Sequence, residues 1–221
     1  MLIAEELLVL LTRDSGKPAR PTTEVDRALA GAVLIELATL GLVDVAGPGE
    51  PVRRGGLVLR TGPRPDHPVL RAALDVLGQR EGRSAKSAVE KLARGLRASV
   101  TDSLLRRRVL ERRDHRVLGL FPATRTPVRD RAVAARLRGS VVAALTGPGR
   151  PEPHAAALVT LLHAIGALTT AVDLPDPRAA KARAKQISQG DWAADAVRKA
   201  VAAVNAVVIG VVVSATAAAN S

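Results

Sequence analysis

The sequence has no cysteine and no tyrosine, and its single phenylalanine and single tryptophan bring aromatic residues to only 1% of 221 positions. The absence of cysteine excludes disulfides, thiolate metal sites and cysteine nucleophiles. The shortage of aromatics leaves leucine, valine and alanine to form the core, and it removes the side chains that stack on single-stranded bases. Because 47% of the residues are hydrophobic, the composition predicts a folded, mainly helical protein.

Acidic residues are also scarce, because the chain contains 21 of them and 33 lysines and arginines, which gives a net charge of +12. Residues 91–138 alone contain 14 basic and 4 acidic residues, a net charge of +10. The excess is therefore concentrated in one part of the chain. Such a charge implies an anionic partner, either an acidic lipid surface, a nucleic acid or an acidic protein.

Catalytic and metal-binding motifs are missing as well. The sequence has no Ser-His-Asp order, no nucleophile elbow, no P-loop and no pair of catalytic carboxylates. The four histidines are scattered without the spacing of metal ligands: His67, His115, His154 and His163. We therefore expect a protein that is not an enzyme and that has no metal and no cofactor.

Hydrophobic spacing and turn signals predict several helices with short strands between them, and the length allows one domain or two small ones. Residues 25–40 are apolar almost all round and are predicted to form a buried helix, with Thr22 or Thr23 as its cap and Gly41 at its end. Two short strands are predicted at 42–45 and 56–59. Further helices are predicted at 2–12, 69–79, after a Ser84 cap, and at 130–145, 155–168 and 178–188.

The two ends of the chain raise the question of membrane insertion. The apolar N-terminus carries Glu5 and Glu6 where a signal peptide has positive charge, so we expect no signal peptide and a cytoplasmic location. Residues 200–221 lack charge but are rich in alanine and valine and contain Asn205 and Gly210. They favour a buried core helix over a transmembrane span.

Residues 91–121 are predicted to form a helix that runs into a β-hairpin. Leu92, Leu96, Val100 and Leu104 recur on one helical face, and Arg94 and Arg97 are predicted to project together beside it. Beyond Leu110, ERRDH is interpreted as a polar turn and RVLGLF as strand-forming. Two arginines on a helix edge can equally belong to an ordinary solvated face.

Several stretches together resemble the Golgi phosphoprotein 3 family, which includes bacterial members. The resemblance rests on IAEELLVLLTRDSGKP and ALAGAVLIELATLGLVDV near the start, on RRVLERRDHRVLGLFPATRTPV, and on LLHAIGAL. It implies a single, mainly α-helical domain over residues 1–221: a helical bundle around a buried hydrophobic helix, with short β-hairpins on one face, one of them hydrophobic. It also implies a peripheral membrane adaptor, because eukaryotic members bind phosphatidylinositol 4-phosphate and retain Golgi enzymes.

The same resemblance implies a headgroup site. The family's two arginines three residues apart match Arg94 and Arg97, whereas its tryptophan falls on Pro21 and its other arginine on Ala30. Arg20 or Arg27 could supply the replacement charge. The expected partners are an anionic phospholipid surface and the tails of client proteins.

The apolar hairpin residues Val117, Leu118, Leu120 and Phe121 have two interpretations. They can insert into a membrane, or they can pack onto the helices or onto a second subunit as a homo-oligomer contact. The alternative function is nucleic-acid binding, because a helix followed by a hairpin can be part of a winged helix and the charge suits phosphodiesters. Nucleic acid is the less expected partner.

Overall fold

Eight helices and four short strands make up the part of the chain that the computed structural model describes: residues 1–47, 49–53, 55–79, 81–117, 121–189 and 201–202. For residues 115–117 and 121–123 only the backbone is described. In chain order the elements are α1 (Ile3–Leu10), α2 (Thr22–Thr39), β1 (Val43–Val45), β2 (Leu57–Leu59), α3 (Pro68–Gly78), α4 (Ala85–Arg106), β3 (Arg113–Val117), β4 (Phe121–Arg125), α5 (Arg131–Thr146), α6 (Pro153–Ala164), α7 (Leu168–Ala171) and α8 (Pro177–Ile187).

Helix α2 is the buried helix around which the others pack. It contacts α1, α3, α4, α6 and β1, and from Ala28 to Ile35 every side chain is buried. Helix α6 is also apolar on all sides, and its residues from Ala155 to Leu162 are all buried. A helix without a polar face must be covered on every side, which is why these two occupy the interior. The predicted fold class, a helical bundle around a buried helix with two short antiparallel strand pairs, is confirmed.

The helix boundaries follow local capping chemistry. Gly41 has a φ of 69°, the left-handed conformation predicted for the glycine after α2. The Ser84 hydroxyl accepts a hydrogen bond from Ser87 N at 3.3 Å, as predicted for the start of α4. The prediction of a threonine cap on α2 was wrong, because Pro21 is the N-cap residue and Thr22 is already helical.

Helix α4 is broken at its middle, which the sequence analysis did not predict. Arg94 has a non-helical ψ of 110°, and Gly95 has a φ of 79°. A left-handed φ costs an ordinary residue roughly 1–2 kcal/mol, and glycine has no Cβ to cause that strain. Because the two halves meet at this break, Arg94 and Arg97 are not on one continuous helical face.

Both strand pairs are antiparallel hairpins, with Val43 opposite Leu59 in the first and Val117 opposite Phe121 in the second. The interpretation of ERRDH as a polar turn was wrong, because β3 begins at Arg113, inside that stretch. Pro122, which was predicted to close the hairpin, lies within β4, opposite Arg116. Leu118 and Leu120 lie outside the described residues, as do the side chains of Val117 and Phe121. The predicted roles of these four residues stay predictions.

The C-terminal prediction falls largely outside the described residues, which near this end include only Val201 and Ala202. Val201 is helical and buried against the same hydrophobic cluster as α1, α2 and α6. Within the described part of the chain, no helix combines the length and the apolar character needed to cross a membrane.

Candidate anion-binding clefts around α4

Arg97, on the second half of α4, faces a carboxylate of α2. Its Nε atom lies 2.9 Å from Oδ1 of Asp26. Burial raises the pKa of Asp26 above its usual value even though the Arg97 charge opposes that shift. Asp26 is therefore an acid whose ionised form the fold only partly compensates.

The two other arginines proposed from the sequence are also paired. Arg20 Nε lies 2.9 Å from Glu24 Oε2, one turn along α2, and Arg27 Nε lies 2.8 Å from Glu90 Oε1 on α4. An anion that bound at either position would have to compete with an acid already in place. No local sequence pattern predicts the Arg27–Glu90 pair, because its partners are 63 residues apart.

Arg94 has a different environment. Among the described residues, no ion pair or hydrogen bond involves its side chain. It lines an open groove of about 400 Å³ between α3 and α4, which we call the α3–α4 groove. Lys91 and Arg106 line the same groove and also form no ion pair among the described residues. Its apolar lining residues are Pro68, Val69, Ala72, Ala73, Val76, Leu92 and Leu96.

Arg97 lines another opening, of about 380 Å³, formed by the ends of α1 and β4 with α2 and α4. We call it the α4–hairpin cleft. Its lining includes three arginines, Arg97, Arg112 and Arg125. It is also rich in hydroxyls, from Thr12, Thr101, Thr124 and Thr126. Guanidinium groups next to hydroxyls suit the oxygen atoms of a phosphate.

Within the part of the chain that the structure describes, Asp102 is the only acidic residue that lines either opening, and it lines both. Its Oδ1 lies 4.0 Å from Arg112 Nη2, a loose contact at the surface. The structure therefore places Arg94 and Arg97 in two separate openings that share an acidic edge, instead of in one pocket. Pro21 is exposed at the start of α2 and Ala30 is fully buried within it, so neither position contributes a polar group.

A buried polar cluster that the sequence analysis missed joins α1, α3 and α4. Glu5 is completely buried, and it accepts hydrogen bonds from Ser103 Oγ at 2.7 Å and from the N–H of Leu2 at 3.0 Å. Its carboxylate also lies 3.2 Å from His67 Nε2 and 3.4 Å from Arg107 Nη1. Burial would raise the pKa of Glu5, but these hydrogen bonds and positive charges outweigh it and lower that pKa.

The serine, histidine and glutamate of this cluster do not form a catalytic relay. Ser103 Oγ and Glu5 Oε1 both lie near the same ring nitrogen, His67 Nε2, at 3.4 and 3.2 Å. The other nitrogen, Nδ1, accepts a hydrogen bond from Val69 N at the start of α3. In a catalytic triad, histidine is the base, and the serine hydroxyl and the orienting acid bond to its opposite ring nitrogens. This cluster therefore ties three helices together. Its only sequence signal was an acid inside the apolar run of α1.

The other histidines are dispersed. His154 Nε2 lies 3.5 Å from Glu6, and burial with the nearby Lys181 and Lys185 lowers the pKa of His163. In the part of the chain that the structure describes, no group of three potential ligands could hold a metal ion.

These features define a mainly helical protein in which basic side chains surround two openings on either side of one broken helix, next to an antiparallel hairpin. The model of the Golgi phosphoprotein 3 (GPP34) family matches residues 3–204. The chain belongs to this family, which confirms the resemblance inferred from its motifs. A comparison with curated proteins found no match.

Proposed function

We propose that this protein is a peripheral membrane protein that binds anionic phospholipid headgroups with the basic side chains around α4. The observation that carries the proposal is the charge around the two openings. Among the described residues, six basic ones line the openings, three in each, whereas Asp102 is the one acid of the lining and Asp26 pairs with Arg97 at the edge of the α4–hairpin cleft. Such an excess attracts anions and concentrates them near the surface.

The α4–hairpin cleft suits the headgroup phosphate. Arginine presents a planar fork of donors that matches phosphate oxygens. Thr101 and Thr126 add hydroxyls, whereas the hydroxyls of Thr12 and Thr124 already donate to Leu8 O and Asp114 Oδ1. The cleft also adjoins β4, so a headgroup held there would bring the hairpin close to the lipid surface. Family membership supports the same kind of ligand. Which acidic lipid binds is a separate question, because Pro21 and Ala30 replace two pocket residues of the eukaryotic members.

Vesicle sedimentation at several salt concentrations tests the proposal. Vesicles would contain phosphatidylcholine alone, phosphatidylcholine with phosphatidylglycerol, or phosphatidylcholine with phosphatidylinositol 4-phosphate at equal total charge. Wild-type protein should bind both charged vesicles and leave the neutral ones. Arg97→Ala combined with Arg125→Ala should weaken binding more than the control pair Arg136→Ala with Arg138→Ala, which removes the same charge from α5.

The magnitudes separate directed contacts from general attraction. General attraction to an acidic leaflet contributes about 1 kcal/mol per basic residue. Hydrogen bonds to charged groups add about 1.5–3 kcal/mol each, and they resist salt better than long-range attraction does. Arginine-to-lysine variants of the cleft should stay defective, because a point charge does not reproduce the fork. Equal losses for the two pairs would reduce the cleft to an ordinary basic surface.

A gel-shift assay on random duplex DNA at matched salt completes the test, because nucleic acid is the other anion that suits this charge. Tighter binding to duplex DNA than to charged vesicles would replace the membrane proposal with the nucleic-acid alternative. An adaptor role with client protein tails, and a homo-oligomer formed through the hairpin, rest on family membership and on the sequence alone.

A further inference from the structure

The α3–α4 groove differs from the α4–hairpin cleft in the chemistry of its walls. Its floor is hydrocarbon, whereas its rim carries three cations. We propose that this groove binds the acyl chain of a single-chain anionic amphiphile, with the terminal phosphate or carboxylate held at the rim. The inference rests on the proposed function in that it adds a chain-binding groove beside a headgroup cleft.

The floor comes from helical side chains that pack between α3 and α4. Val69 and Ala73 from α3 meet Leu92 and Leu96 from α4, and all four are buried beneath the groove. Ala72 and Val76 lie higher on the wall, where Ala72 is exposed and Val76 is partly exposed. The small side chain of Ala72 leaves room for a guest. The volume of about 400 Å³ falls within the roughly 300–1,000 Å³ of small-molecule sites.

The rim supplies the complementary charge. Lys91, Arg94 and Arg106 all come from α4, and Asp102 is the single acid among the lining residues. The Asp102 carboxylate also lies 4.0 Å from Arg112 Nη2, which lines the neighbouring α4–hairpin cleft. Arg94 and Arg106 are exposed and Lys91 is partly exposed, so water can solvate all three, and a neutral or cationic guest would gain no ion pair at the rim. An anionic head with an apolar tail satisfies both the rim and the floor.

The break in α4 places a rim cation away from the helical path. Arg94 adopts its extended ψ at the break, and beside it a Cβ on Gly95 would meet no atom within 4 Å. The groove is therefore open at the break instead of being closed by a neighbouring side chain. Lys91 lies one turn before this point and Arg106 lies at the end of the helix. The cations are thus spread along the groove, so that the head can be held while the chain follows the floor.

Calorimetry with alkyl phosphates below their micelle concentrations tests the inference. The probes are decyl phosphate, dodecyl phosphate, inorganic phosphate as the head alone, and dodecyl maltoside as an uncharged chain. Wild-type protein should bind dodecyl phosphate most tightly. Each methylene that enters the groove should strengthen binding by up to about fourfold, the equivalent of about 0.8 kcal/mol. Arg106→Gln should weaken dodecyl phosphate binding about fivefold and leave dodecyl maltoside unchanged.

The decisive variant fills the groove without a change of charge. Ala72→Trp should weaken dodecyl phosphate binding at least tenfold, whereas Ala135→Trp, at an exposed alanine of α5, should bind it as the wild type does. Circular dichroism verifies that both variants fold. If Ala72→Trp does not fold, Val76→Asp takes its place, since an acid on the partly exposed wall should repel the anionic probe.

Three results would overturn the inference: equal affinity in the two tryptophan variants, affinity that does not depend on chain length, or dodecyl phosphate that binds no tighter than inorganic phosphate. Vesicle sedimentation separates this failure from failure of the membrane proposal. Protein that binds charged vesicles but gives one of those three results refutes the groove alone. Protein that ignores charged vesicles but binds dodecyl phosphate in an Ala72-sensitive manner supports the groove and refutes the membrane proposal.

Discussion

Arg97 of α4 and Asp26 of α2 lie with their Nε and Oδ1 atoms 2.9 Å apart at the edge of the α4–hairpin cleft. The pair places an acid next to the arginine that the cleft would use to bind a phosphate. Asp26 therefore competes with any anionic ligand for Arg97. Since burial raises the pKa of Asp26, its ionised form is less favoured in this environment than in water.

The first prediction follows from this competition. Asp26→Asn should raise affinity for vesicles with an acidic phospholipid about fivefold. It releases the guanidinium of Arg97, whose attraction to such a surface contributes about 1 kcal/mol. Stability at pH 7 should not fall, since the variant also removes an ionised group that burial disfavours. Glu24→Gln is the matched control, because it removes one negative charge from α2 but releases Arg20, which lines neither opening. An equal gain from both variants would show that only net charge matters.

The second prediction concerns the buried carboxylate of α1. Glu5→Gln should lower the free energy of unfolding at pH 7 by about 1–3 kcal/mol, because it weakens charge-assisted hydrogen bonds in a fully buried site. Urea unfolding measures the loss. Glu24→Gln should cost less than about 1 kcal/mol, as expected for a surface pair.

The pH dependence of this loss has a definite sign. The pKa of Glu5 is lowered in the fold from its usual 4.5, so its contribution is present above that value and disappears as pH falls through the lower folded pKa. The gap between wild type and Glu5→Gln should therefore narrow in acid. The raised pKa values of Glu6 and Asp26 act in the opposite direction but are common to both proteins. A gap that stays constant down to pH 3 would contradict an ionised Glu5.

A third prediction uses two glycines with open surroundings. A Cβ on Gly95 or on Gly139 would meet no atom within 4 Å, but Gly95 has a φ of 79° whereas Gly139 lies within α5. Gly95→Ala should destabilise by about 1–2 kcal/mol through left-handed strain. Gly139→Ala should stabilise by roughly 0.5–1 kcal/mol, because alanine favours the helix. Thermal unfolding shows whether each variant is more or less stable than the wild type. Stabilisation by Gly95→Ala would mean that α4 is not broken in solution.

The fourth prediction tests the hairpin. Replacing Leu118, Leu120 and Phe121 together with serine should weaken vesicle binding or self-association, since each apolar side chain that transfers into lipid or an interface contributes roughly 1.5–3 kcal/mol. Leu40→Ser is the control, because Leu40 is a large apolar residue that is 50% exposed away from the hairpin. Vesicle sedimentation and analytical ultracentrifugation distinguish the two kinds of association. Unfolding of the triple variant would instead assign these side chains to the core.

The sequence by itself determined seven of the eight helices that the structure describes, their order and the burial of α2; the four-residue helix α7 was not predicted. Hydrophobic spacing and capping are local properties, so the all-round apolar stretch of α2, Gly41 and the Ser84 cap could be interpreted without coordinates. The charge excess around α4 and the family motifs were equally legible. They predicted an anionic partner and pointed to Arg20, Arg27, Arg94 and Arg97. They did not show that three of these four arginines are paired with acids.

Only the tertiary structure decided how those residues are distributed. Ion pairs such as Arg27 with Glu90 and clusters such as Glu5 with Ser103 join residues 63 and 98 positions apart, and no local pattern encodes such contacts. The break at Gly95 was hidden because apolar residues on both sides keep a helical spacing, so periodicity alone predicts a continuous helix. That single left-handed residue separates Arg94 from Arg97. Both halves of α4 line the α3–α4 groove, and the second half also borders the α4–hairpin cleft. The two arginines therefore line different openings, because α3 lies beside one side of α4 whereas α1, α2 and β4 border another.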